Sequence, residues 1–101
     1  MDKLQKFELM NKIARELEDL QNSQTALITK ISQIEVDNMN GLNDSYLEKN
    51  LDDIHSKIAA NVDSVNEIFT HFEQQRDEYG EKNRSAIEAA EAAALVNQSS
   101  S

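Results

Sequence analysis

Two apolar stripes at helical spacing, out of step with one another, constrain this chain more than any other feature. In the first, Ile13, Leu17, Leu20, Leu27, Ile31 and Ile34 recur at alternating steps of four and three, with Gln24 filling the one skipped place. In the second, Leu47, Leu51, Ile54, Ile58, Val65, Ile68, Phe72 and Tyr79 do the same, with Asn61 and Gln75 as the polar members. Such spacing places one stripe on one face of each helix and favours left-handed, coiled-coil-like packing. Continuing the first series would demand an apolar residue at 48, but Glu48 stands there and Leu47 carries the stripe. A single rod would keep its phase, so the chain is expected to reverse between the stripes.

The reversal is expected in DNMNGLNDS, Asp37 to Ser45, which holds one of the chain's two glycines; the chain has no proline. Gly41 can take the positive φ that ends a helix, and Ser45 with Glu48 reads as a capping box opening the next one. The expected fold class is all-α: an antiparallel two-helix hairpin over residues 1–82, with helix 1 about 3–37, a turn at 38–44 and helix 2 from 45. Pairing residues whose numbers sum to 85 sets Ile31 opposite Ile54 and Leu17 opposite Ile68, and sets Gln24 against Asn61 as the register pair. Either amide facing leucine would leave a buried polar group, at a cost of about 1–3 kcal/mol. In this register the first helix is used up near residue 82, so residues 83–101 are expected to form an Ala-rich helical overhang (NRSAIEAAEAAAL) and a disordered tail.

With 101 residues and 5% aromatics, the seam is thin, and chains of this size often need a partner to complete their burial. Cysteine is absent, which excludes disulfides. No apolar run approaches the roughly 18 residues of a membrane span, and no signal peptide is expected, so neither membrane insertion nor an ordinary secretory route is anticipated. A formal charge of −9 opposes nucleic acid and anionic membranes, whose phosphates require the reverse sign. No catalytic constellation is legible. His55 and His71 stand 16 residues apart, roughly 160° around a helix, and Glu67 with His71 makes only two ligands. The Glu-x-x-His pairs of di-iron bundles are missing. The expectation is a non-enzyme without metal or cofactor.

Beside the stripes, Leu9, Ala14 and Ile28 on helix 1 and Ala59, Val62 and Phe69 on helix 2 remain as a flanking apolar face. A two-helix hairpin leaves such flanks wet unless further helices close them into a four-helix bundle. The expected partner is a protein: a related hairpin or a second copy.

An acidic helical hairpin of this length, without cysteine and with a central turn, resembles the Trp-Xaa-Gly family exported by type VII secretion. The family's turn motif would fall at Met39-Asn40-Gly41, with Met39 where tryptophan is usual and Leu47 at the bulky apolar place six residues after the glycine. Its export signal, Tyr followed four places later by an acidic residue, is matched by Tyr79 with Asn83, which is not acidic. The chain is also similar to the small helical targeting factors of LXG-type toxins, whose Phe-x-x-x-Asp element Phe69 to Glu73 approximates. The resemblance implies an export partner or targeting factor that binds the helical N-terminal domain of a toxin, cytoplasmic or exported without a signal peptide. The competing expectation is a structural coiled-coil adaptor with no secretion role, in which Tyr79 packs over Lys6 and Phe7.

Overall fold

The computed structural model describes residues 1–99. They are all-helical, with α1 at Lys3–Asp37, a π-helical turn at Asn38–Leu42, α2 at Ser45–Lys82 and α3 at Arg84–Ser99. No strand occurs among the described residues. The cause is compositional: proline is absent and the strong helix formers Glu, Lys, Gln, Leu and Ala are abundant. Asp2 opens α1 reciprocally. Its carboxylate accepts from the Gln5 N–H at 2.7 Å, while the Gln5 side chain accepts from the Asp2 N–H at 3.1 Å.

The end of α1 is built differently from the sequence expectation. Gly41 has no positive φ; the left-handed residue is Asn43, at φ 51 and ψ 41. Asparagine is the side chain after glycine that best tolerates this conformation. The Asn43 N–H donates to the Asn38 carbonyl at 2.7 Å, the wide loop of a π-turn, so the last helical turn is loosened before it stops. The cap of α2 is also displaced. Asp44, not Ser45, accepts from the Leu47 N–H at 2.8 Å, as an N-cap does for the third residue of a helix.

Between these points lies Asn38, the one buried polar residue among the described residues, at 4% exposure. Its Nδ2 donates to the Asp44 carbonyl at 3.1 Å, and its Oδ1 accepts from the Asp44 N–H at 3.0 Å. The side-chain amide thus acts as a surrogate peptide group, satisfying both backbone groups of the residue that starts α2.

The chain divides into two compact units, Leu17–Ile68 and Met1–Glu16 with the residues from Phe69 onward. In the Leu17–Ile68 unit, α1 turns Leu17, Gln21, Gln24, Ile28, Ile31 and Glu35 inward, and α2 turns Leu51, His55, Ile58, Val62 and Val65 inward. The steps still alternate four and three, but half the places have moved one residue along. Gln21 replaces Leu20, Ile28 replaces Leu27, Glu35 replaces Ile34, and His55 replaces Ile54. Apolar residues fall on three adjacent lines of each helix, some of them shared with polar residues, and a pair of helices can close on only two lines of each. The pair formed is tied by Gln21, whose Nε2 donates to Asn66 Oδ1 at 2.6 Å across 45 residues. The expected register bond between Gln24 and Asn61 is therefore corrected. Asn61 faces solvent, and Gln24 Oε1 is buried without a hydrogen-bond partner.

In the other unit, Ala14 and Ile87 are buried at 4% and 5% exposure. Gly80 explains the close packing: a Cβ there would lie 2.7 Å from Phe7 Cε1. The Lys6 Nζ stands 4.8 Å from the centre of the Tyr79 ring, within the range of a cation–π contact. Asn83 separates α2 from α3, and α2 runs unbroken through Gly80. Both the backbone N–H and Nδ2 of Asn83 donate to the Tyr79 carbonyl, at 3.0 and 2.9 Å. Nor are the residues after 83 an unsupported overhang. Ile87 shares a groove with Phe7 and Gly80, and Ala94 shares one with Leu4 and Glu8. Of the expected disordered tail, Asn97 to Ser99 are helical, and positions 100 and 101 lie outside the described residues.

Candidate functional site

Rotating each helix onto a different pair of lines changes what the protein shows to solvent. In the Leu17–Ile68 unit, Leu20 and Leu27 are each 44% exposed and Ile34 38% on α1, while Ile54 and Ile68 are 43% and 55% exposed on α2. Each set recurs at intervals of seven or fourteen, so each forms one line along its helix. Each of these residues stands directly before a partly buried one, Gln21, Ile28, Glu35, His55 or Phe69, so each exposed line flanks the inward stripe of its own helix.

This is not the flanking face expected from the sequence, and the correction follows from the same rotation. Ala14 is buried, Ile28, Ala59, Val62 and Phe69 are partly buried, and of that set only Leu9, at 41%, is exposed. The inversion is energetically informative. Gln21, Gln24, Glu35 and His55 occupy inward places while five large aliphatic side chains stay wet. Burying such a side chain fully is worth about 1.5–3 kcal/mol, so covering what five half-exposed ones still show would contribute on the order of 4–7 kcal/mol. A second apolar feature lies at the turn, where Met39, Leu42 and Tyr46 are 66%, 73% and 78% exposed.

The other singled-out residues are placed as follows. Gly41 sits in the π-turn with nothing within 4 Å of a built Cβ. Tyr79 is partly buried and Asn83 is committed to its carbonyl. Glu73, four residues after partly buried Phe69, lies 3.9 Å from the Arg76 guanidinium. His55 is partly buried and His71 exposed, and among the described residues no group of three or more His, Cys, Asp or Glu could hold a metal ion. Asn38 and Asn66 escaped the sequence reading, because side-chain amides that serve backbone or cross-helix partners leave no periodic trace.

No described helix is long and apolar enough to cross a membrane. No family model matches the chain, and no curated protein or solved structure matches it either.

Proposed function

We propose that this chain is a non-enzymatic antiparallel helical hairpin that works by binding another protein, completing a four-helix bundle with it. One observation carries the reading: Leu20, Leu27 and Ile34 on α1 and Ile54 and Ile68 on α2 are left wet while glutamines take inward places, and in the hairpin these two lines would form one two-row apolar face. Three apolar lines per heptad is the pattern of a helix that buries two flanks, which one neighbour cannot supply. In the more specific form of the reading, the protein is a type VII secretion-associated export partner or targeting factor for a cognate protein such as an LXG toxin. That form rests on the resemblance at Met39 to Gly41, Tyr79 to Asn83 and Phe69 to Glu73. It implies a cytoplasmic protein that can leave the cell without a signal peptide, with no cofactor and no nucleic-acid partner.

The test uses the exposed lines alone. A Leu20→Asp/Leu27→Asp variant should keep wild-type helicity and lose capture of the cognate protein from the native cell by at least tenfold, the equivalent of about 1.4 kcal/mol. Undiminished capture would refute the reading.

A second reading, a structural coiled-coil adaptor without a secretion role, is favoured by the surroundings of Tyr79. Its ring lies beneath Lys6 and the Asn83 amide is spent on its carbonyl, which is a packing role for both. Tyr79→Ala separates the two: loss of export from a folded variant supports the secretion form, and intact export supports the adaptor.

A further inference from the structure

We propose that the turn holds a site of spontaneous covalent modification at Asn40, where the backbone nitrogen of Gly41 displaces the side-chain amide. An asparagine cyclises when the nitrogen of the next residue reaches its side-chain carbonyl carbon. Glycine obstructs this least, because it has no side chain and the freest backbone. Asn40-Gly41 is the only such pair in the chain. The structure separates Asn40 from the two asparagines beside it. Asn38 is buried, and both ends of its amide are held by Asp44, at 3.1 and 3.0 Å. Asn43 is exposed, but the nitrogen that would attack it belongs to Asp44 and already donates to Asn38 Oδ1. Asn40 is exposed, its side chain has no hydrogen bond among the described residues, and a Cβ at Gly41 would meet nothing within 4 Å. Elsewhere the smallest follower is Ser23 after exposed Asn22, but that pair lies within the unbroken α1.

Cyclisation requires Asn40 to leave its helical backbone conformation, and the π-turn permits this locally. Its wide loop is closed by the Asn43 N–H on the Asn38 carbonyl, and exposed turn tips open at far lower cost than helix interiors. Behind the loop, the Asn38 amide still holds Asp44, so α1 and α2 need not part. The Gly41 nitrogen gives its proton to hydroxide or water and bonds to Asn40 Cγ. The Cγ–Nδ2 bond breaks, and Nδ2 takes up a proton and leaves as ammonia. Water then opens the cyclic imide at either carbonyl, leaving aspartate or, with an extra backbone carbon, isoaspartate. Nothing is oxidised or reduced. The product is one charge more negative than the −9 of the starting chain. Its new carboxylate stands between Met39 and Leu42, which are 66% and 73% exposed. An apolar tip thus turns acidic as the chain ages, while the seam between the helices is untouched.

The test holds the full chain, folded, in mildly alkaline buffer made with heavy-oxygen water, and follows its peptide masses over days. A second sample is kept unfolded in guanidinium. In the folded chain Asn40 should convert first, each converted peptide carrying one solvent oxygen and isoaspartate outweighing aspartate. Gly41→Ala, whose surroundings are open, should slow the conversion roughly tenfold or more, equivalent to about 1.4 kcal/mol of barrier. Asn22 should convert only in the unfolded sample. An Asn40 that stays intact in the folded chain while converting in guanidinium would show that the π-turn shields it, and would overturn the proposal. So would conversion of Asn22, Asn38 or Asn43 at the same rate in the folded chain, or an unchanged rate in Gly41→Ala.

Discussion

Replacing Asn38 with alanine tests the account of the turn. The amide is 4% exposed and holds both backbone groups of Asp44, at 3.1 and 3.0 Å. A neutral hydrogen bond contributes about 0.5–1.5 kcal/mol net, so the pair is worth about 1–3 kcal/mol. Asp44 itself is exposed, and water can reach the groups that alanine abandons, which places the expected loss near 2 kcal/mol. For a domain of this size each kcal/mol moves the melting temperature by about 4–8 °C, so thermal unfolding followed by circular dichroism should drop by about 8–16 °C. Asn38→Asp sharpens the test. The carboxylate keeps the bond from the Asp44 N–H but turns a lone pair toward the Asp44 carbonyl, so near neutral pH it should be no more stable than alanine despite its shape. A shift below about 2 °C for both variants would refute the idea that this amide closes the turn.

Three further outcomes are expected. Gly80→Ala should destabilise by up to about 2 kcal/mol net in denaturant unfolding, because the new Cβ would meet Phe7 Cε1 at 2.7 Å, an overpacking cost of about 1–3 kcal/mol against a helix-propensity gain of ~1 kcal/mol, and Phe7→Leu should restore part of the loss. Gly41→Ala should raise stability by about 0.4–1 kcal/mol, since its φ is negative and its surroundings are open. Asn43→Ala should lower stability by about 1 kcal/mol in the same assay, because Asn43 holds the left-handed conformation; equal effects at 41 and 43 would contradict the assignment.

How much was legible in the sequence depends on the kind of contact. The helical class was, because absent proline and sustained apolar spacing act locally and repeat. The choice of lines was not. Ile13, Leu20, Leu27 and Ile34 form a more apolar row than Ala14, Gln21, Ile28 and Glu35, so hydrophobicity alone selects the wrong seam. The lines that do close are marked by specific, aperiodic contacts: the Gln21–Asn66 bond in one unit and the room left by Gly80 for Phe7 in the other. The same holds at the turn. A glycine among asparagines invites the assignment of positive φ to glycine, yet Asn43 takes it because Asn38 has already fixed where Asp44 must sit. The support of α3 rests chiefly on one residue, Ile87, within an alanine-rich run that otherwise gives no sign of a neighbour.

The ring closed by Asn38 and Asp44 has a consequence for how such a protein can diversify. Met39, Asn40, Gly41 and Leu42 loop outside that closure and are all exposed to solvent. Their identities can drift without loosening the clasp behind them. A lineage could therefore re-letter its outermost loop, altering what it offers there to other molecules, while the joint that returns the chain stays chemically unchanged.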